Sequence, residues 1–189
     1  DLPGIYSLSP YTMEEIIARN YIVEEMPDVI INIVDATNIE RNLYLTTQLI
    51  ELGLPIVVAL NMMDEIKKRG DKIDVNGLEK AFGVPIIPTS ASKGQGVSQL
   101  MQKAIELAQA GAASQETKFT LKIFDDEIEN TIEKIENLIV PFIKGTKYPA
   151  RWVSIKLLEG DERVREKLAV TNEIIDSVKV LRKELEHKY

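Results

Sequence analysis

Apolar residues form two short, nearly continuous blocks, Val29 to Val34 and Ile56 to Leu60, and elsewhere recur every three or four positions. The recurrence predicts helices over Met13 to Glu25, Ile39 to Leu52, Val75 to Phe82 and Val97 to Ala110. The β-branched blocks, with Pro85 to Pro88, predict strands. Strands alternating with amphipathic stretches imply a parallel sheet with crossover helices. The first two strands are apolar on successive residues, so both of their faces are expected to be buried, and a three-layer α/β sandwich follows. Gly53 and Gly83 each close a helical stretch just ahead of a strand, and Asp74 is placed to cap the helix that follows it.

Strand signals stop beyond Ala110. The stretch Ala110 to Lys118 reads AGAASQETK, small and polar residues that suit an exposed connection, so domains are expected at 1–110 and 118–189 with a linker at 111–117. In the second domain Ile128, Ile132, Ile135, Ile139, Phe142 and Ile143 recur at helical steps, as do Ile174, Val178, Leu181 and Leu185. With shorter helices over Arg151 to Leu158 and Glu162 to Leu168, they predict an α-helical bundle.

Composition removes several chemistries. The 189 residues contain no cysteine and one histidine, His187, which excludes a disulfide scaffold, a Cys-ligated metal and a multi-His site within the chain. Twenty-three Lys and Arg stand against 30 Asp and Glu, a net charge of -7, and basic residues are scattered among acids. That distribution argues against nucleic acid as a partner, since phosphate backbones demand a concentrated basic face. The apolar blocks are far shorter than the roughly 20 residues that span a bilayer. The chain opens on Asp-Leu-Pro-Gly without an initiator Met or a signal core and reads as a piece of a longer protein.

Ligands of open parallel sheets sit beyond the carboxyl ends of the strands. Two polar loops fall there: Asn61-Met62-Met63-Asp64 after the second strand, and Thr89-Ser90-Ala91-Ser92 after the third. A carboxylate can accept two parallel hydrogen bonds from a ring N–H and an exocyclic amine, the edge that guanine presents and adenine does not. Asp64 fits that task. The Asn61 amide can both donate and accept, and the Ala91 backbone N–H could reach a base carbonyl. The competing reading makes Asn61 and Asp64 simple caps of a helix entered at Glu65.

The order of motifs favours the pocket. Asp-Leu-Pro-Gly at 1–4, Asn-Met-Met-Asp at 61–64 and Ser-Ala-Ser at 90–92 resemble the third, fourth and fifth signature loops of P-loop GTPases. The stretches DLPGIYSLSPYT, VDATNIERNLYLTTQLIELGLPIVVALNMMDE and RWVSIKLLEGD further resemble the cytoplasmic G-protein domain of the bacterial ferrous iron transporter B family, FeoB, and its helical GDI-like or spacer segment. The resemblance implies a P-loop GTPase-like fold, N-terminally incomplete, that binds GTP or GDP with Mg²⁺, K⁺ being a further cofactor candidate. It implies that Asp1 holds Mg²⁺ through water and that the Gly4 amide contacts the γ-phosphate. Asn61, Met62 and Asp64 would then hold guanine, with Ser90, Ala91 and Ser92 completing the base pocket. The implied partners are guanine nucleotide, a transmembrane permease region and a second copy of the chain. The implied place is the cytoplasmic face of the cell membrane, and the implied role is coupling of GTP hydrolysis to Fe²⁺ uptake.

Departures from the wider GTPase pattern qualify that role. Met62 stands where a Lys stem usually covers the base, and a thioether can serve the same purpose. Ile5 stands where small GTPases carry a water-orienting Gln, so no catalytic residue is assigned. No G-x-x-x-x-G-K-[ST] occurs in these residues, nor does the first switch, so the chain as it stands is expected to bind GTP poorly. Loss of the segment that carries them would expose one flank of the sheet.

The remaining polar residues have structural explanations. Asp35 suits a cap for the helix near Ile39 better than a metal ligand. Glu40 and Arg41 read as a solvated pair or a polar anchor, and Trp152 as core. Asp125, Asp126 and Glu127 suit a helix start rather than Fe²⁺, and His187 reads as idle. Two alternatives to the transporter stand beside it: a ribosome-assembly-type GTPase, and a non-enzymatic regulatory remnant.

Overall fold

The computed structural model describes residues 1–8, 12–113 and 124–188. The chain divides into two compact units, Asp1–Leu121 and Lys122–Tyr189. In the first, α1 (Met13–Glu25), β1 (Ile30–Asp35), α2 (Ile39–Glu51), β2 (Ile56–Asn61), α3 (Met63–Arg69), α4 (Val75–Phe82), β3 (Ile86–Pro88) and α5 (Val97–Ala113) follow in order. Helix α1 starts at a full capping box. Thr12 Oγ1 accepts from the Glu15 N–H, and the Glu15 carboxylate accepts from the Thr12 N–H. Asp74 caps α4 through the Gly77 N–H, and Gly83 ends that helix in the left-handed region, as expected.

The strands form one parallel sheet in the order β1-β2-β3. Helix α5 covers one face of β2, where Val57, Ala59, Ile87, Leu100 and Ala104 form a buried cluster. Helix α2 packs against β1 and β2. Side chains alternate across a strand, so Ile56, Val58 and Leu60 lie on the face opposite Val57 and Ala59, and they too are buried. The three-layer sandwich is present.

One expectation fails. Strand β1 is buried on one face only: Asn32 and Val34 are covered, whereas Ile31 and Ile33 are 37% and 67% exposed. Their register partners are Val57 and Ala59, so they lie on the face that α5 covers over β2. An unbroken run of β-branched residues reports that a strand belongs in a buried sheet, but it cannot report which cover is on hand. Helix α5 also runs past the expected end at Ala110 to Ala113; positions 114–117 of the expected linker lie outside the described residues.

The second unit contains α6 (Asp126–Ile143), α7 (Ala150–Glu159), α8 (Glu162–Lys167) and α9 (Asn172–Glu186). Ile132, Ile135, Ile139, Trp152 and Val153 are at most 1% exposed. Trp152 stacks with Tyr148 at a centroid distance of 6.0 Å, so the core reading of that residue holds. On α9, Ile175 and Val178 are buried while Ile174, Leu181 and Leu185 are half-buried, which turns the helix slightly from the expected stripe. Asp125 caps α6 by accepting from the N–H groups of Glu127 and Ile128, as its place at a helix start implied.

Candidate guanine-binding site

The parallel register brings the carboxyl ends of the strands together, Asp35 beside Asn61 and Leu60 beside Pro88. The two loops predicted to cooperate therefore leave the same edge of the sheet, and they are bonded to each other. The Thr89 N–H donates to the Leu60 carbonyl at 2.8 Å, and the Met63 N–H donates to the Thr89 carbonyl at 3.1 Å. Side chains complete the join. Asn61 Oδ1 accepts from the Ala91 N–H at 3.0 Å and from the Thr89 hydroxyl at 3.2 Å, while the Asp64 N–H donates to Ser90 Oγ at 3.1 Å.

Helix α3 has Met62, not Asn61, at its N-cap, and Met62 makes no side-chain cap bond. Oδ1 of Asn61 is engaged by the 89–91 loop. The Ala91 N–H, expected to meet a base carbonyl, points instead to Asn61. Met62 adopts φ 65°, a left-handed conformation rare for a side chain of its size, and its side chain is 40% exposed. A strained residue that displays an apolar thioether at a loop junction suits contact with a flat ring.

Asp64 carries the local charge. Its carboxylate forms an ion pair with Lys93 Nζ at 2.7 Å, with the Asp64 side chain 15% exposed and that of Lys93 48% exposed. The hydrogen bond from Lys93 holds the Asp64 carboxyl below the usual carboxylate range; Coulombic attraction to the same ammonium and the bond to Ser90 act in the same direction, against partial desolvation. Asp64, Ser90 and Lys93 line an open cleft of about 910 Å³ beside α3, together with Met63 and Gln95. That volume is in the range of small-molecule sites.

The loop holding Ser90, Ala91 and Ser92 is a short helical turn closed by a bridge between Ser90 and Gln95. Ser90 is buried, and Ser92 is exposed. Gly96 makes the return possible, since at φ 76° a Cβ there would stand 2.2 Å from the Pro88 carbonyl oxygen. Lys93 and Gly96 were not singled out from sequence, and Thr89 was named only as part of its loop. The S-K-G-Q-G run after Ala91 held the available signal, a lone cation between turn residues opposite an acidic loop.

Asp1 and Gly4 are both exposed in the irregular N-terminal segment, and among the described residues no hydrogen bond or ion pair ties them to Asn61, Asp64 or the 89–93 loop. That segment is anchored on α2, where Gln48 Oε1 accepts from the Leu8 N–H at 2.7 Å and from the Ser7 hydroxyl at 3.2 Å. Arg41 adds a cation–π contact 3.7 Å from the Tyr6 ring, so it is a polar anchor. Asp35 Oδ1 accepts from the N–H and hydroxyl of Thr37, chiefly the latter holding its carboxyl below the usual range; it therefore caps the short turn Ala36–Asn38 that leads into α2, not α2 itself, whose N-cap is Asn38. Among the described residues no cluster of three or more acidic or imidazole groups is arranged to hold a metal ion.

Two family models match in chain order, one described as ferrous iron transport protein B over residues 1–104 and one described as FeoB cytosolic helical domain over residues 124–189. The chain belongs to the ferrous iron transport protein B family. The match over 124–189 leaves the ribosome-assembly alternative without support, because the second unit is the family's helical domain. An Fe(2+) transport protein A/Fe(2+) transporter FeoB fusion protein of Porphyromonas gingivalis is 44% identical over 168 residues, covering 87% of this chain and 19% of that protein. The Fe(2+) transporter FeoB of Staphylococcus aureus is 34% identical over 186 residues, covering 98% of this chain and 27% of that protein. The chain thus spans about a fifth to a quarter of these FeoB relatives.

The solved structures agree. NFeoB from S. thermophilus bound to GDP·AlF4⁻ and K⁺ superposes with a TM-score of 0.89 at 40% identity, over 99% of this chain and 70% of that one. The mGMPPNP-bound NFeoB from S. thermophilus gives a TM-score of 0.86 at 40% identity, over 99% and 68%.

Proposed function

We propose that this chain is the guanine-reading portion and helical domain of a ferrous iron transporter, in which GTP binding and hydrolysis at the first unit are coupled to Fe²⁺ uptake by a membrane-embedded permease. One observation carries the reading: Asn61 and Asp64 leave the sheet on a turn bonded to the 89–91 loop, with Asp64 and Ser90 lining an open cleft. Asp64 accepts from the two N–H donors on the guanine edge, and the Asn61 NH₂ donates to a ring acceptor. Met62 covers one face of the base, and the 90–92 turn closes the pocket from the side. The S. thermophilus NFeoB structures bound to GDP·AlF4⁻ and to mGMPPNP support the ligand class.

Phosphate and metal chemistry is assigned elsewhere in the site. Asp1 supplies one free carboxylate, suited to a water ligand of a nucleotide-bound Mg²⁺; K⁺ accompanies the nucleotide in one relative. The phosphate loop is not among these residues, so the 189-residue chain alone binds nucleotide weakly. None of the described helices is long and apolar enough to cross a membrane. The reading therefore assigns the chain to the cytoplasmic face, next to the permease.

Asp64→Asn tests the pocket. In the full-length protein it should weaken GDP binding by roughly 100-fold, since two charge-assisted hydrogen bonds are replaced by mismatched donors, and it should favour the xanthine nucleotide. Equilibrium titration with GDP and XDP measures both, and an unchanged preference for guanine would refute the assignment.

A further inference from the structure

Lys93 does more in this structure than decorate a loop. Its ammonium lies 2.7 Å from Asp64 Oδ2, on the carboxylate that the pocket offers to a base. Lys68, which also lines the cleft, is engaged elsewhere, since it pairs with Glu65. Lys93 sits in the same short turn that supplies Ser90 to the Asp64 backbone and Ala91 to Asn61. The turn that shapes the pocket therefore also delivers a cation into it.

We propose that Lys93 is an internal competitor of guanine, occupying the Asp64 carboxylate when no base is bound, so that a base must displace it to be read. The inference rests on the guanine-pocket reading above. Physical grounds are the unequal exposure and the unequal charge of the two donors. The Asp64 side chain is largely shielded, whereas that of Lys93 is half in water, so the lysine can swing out with its ammonium solvated while the carboxylate stays in place. Guanine then offers neutral N–H donors in exchange for a full positive charge. The exchange lowers net affinity and eases nucleotide release, because the lysine refills the site as the base leaves.

The test separates charge from bulk. Lys93→Met keeps the aliphatic stem and removes the ammonium; Lys93→Arg keeps a cation. In the full-length protein, Lys93→Met should bind GDP about two- to fivefold more tightly, the range expected for removal of a partly exposed ion pair, with slower release, while Lys93→Arg should behave as the parent. Unchanged or weaker GDP binding by Lys93→Met would overturn the proposal.

A second readout needs no nucleotide. Carbon-13 NMR of the Asp64 carboxyl in the 189-residue chain should show its titration moving up toward the ordinary carboxylate range in Lys93→Met. A carboxyl that titrates identically in parent and variant removes the ion pair, and the proposal with it. Failure of Asp64→Asn to switch base preference would instead sink the pocket reading while leaving this NMR result intact, so the two failures are distinguishable.

Discussion

The two units of the chain treat their polar and apolar groups in opposite ways. In the helical unit charged groups are consumed internally. Arg151 spans from α7 to α6 and grips Glu129 through two hydrogen bonds of 2.7 and 2.8 Å, both side chains nearly buried, and Lys156, 1% exposed, ends on Glu159 at 2.6 Å. In the α/β unit the polar groups at the strand ends bond loop to loop, and the Asp64 carboxylate meets an exposed lysine at the edge of an open cleft. Apolar groups show the same contrast. The bundle closes over Ile132, Ile135 and Ile139, whereas the sheet leaves Ile31 and Ile33 on an uncovered face. The helical unit is built to hold its shape, and the α/β unit to receive something.

Each side of that contrast can be broken. The largest effect is expected in the bundle: Trp152→Ala removes a side chain that is 1% exposed and should cost about 3–5 kcal/mol, read as loss of the bundle's cooperative transition in thermal or urea unfolding. A loss under about 1 kcal/mol would mean that the bundle is loosely packed and the contrast false.

Gly96→Ala is expected to be intermediate. The added methyl meets the Pro88 carbonyl in a left-handed backbone, and a penalty of about 1–3 kcal/mol should fall on the 89–96 loop. Hydrogen exchange at the Ala91 and Gln95 amides would report it, and unaltered protection would show that the loop does not need this return.

The smallest effect sharpens the other side. Ile33→Lys should change unfolding free energy by no more than about 0.5 kcal/mol, because the side chain is already in water, while reducing self-association in sedimentation velocity. A destabilisation of several kcal/mol would show that this face is covered in solution.

Much of this was legible from residue order. The periodicities located α1, α2, α4 and α5 and the bundle helices to within a few residues, because helical and strand spacings are set by local geometry. Asn61, Asp64 and Ser90 could be named because strand ends of a parallel sheet meet on one side. The double burial of β1 could not be judged, since a β-branched run carries the same pattern whether or not a helix lies on it, and Ile31 and Ile33 show the difference. Lys93 escaped notice for a related reason. Nothing about a lysine in a glycine-flanked turn tells which carboxylate, far away along the chain, lies within reach.

Sequence by itself therefore determined the order and type of the elements, the residues on the two loops and the chemistry they carry. These depend on spacings of a few residues and on side-chain type. The fold alone decided that Asn61 spends its oxygen on the neighbouring loop, that Lys93 sits on Asp64, and that Ile31 and Ile33 of β1 are exposed. Those outcomes depend on distances through space between segments remote in the chain, and only the packing of the sheet against its helices sets them.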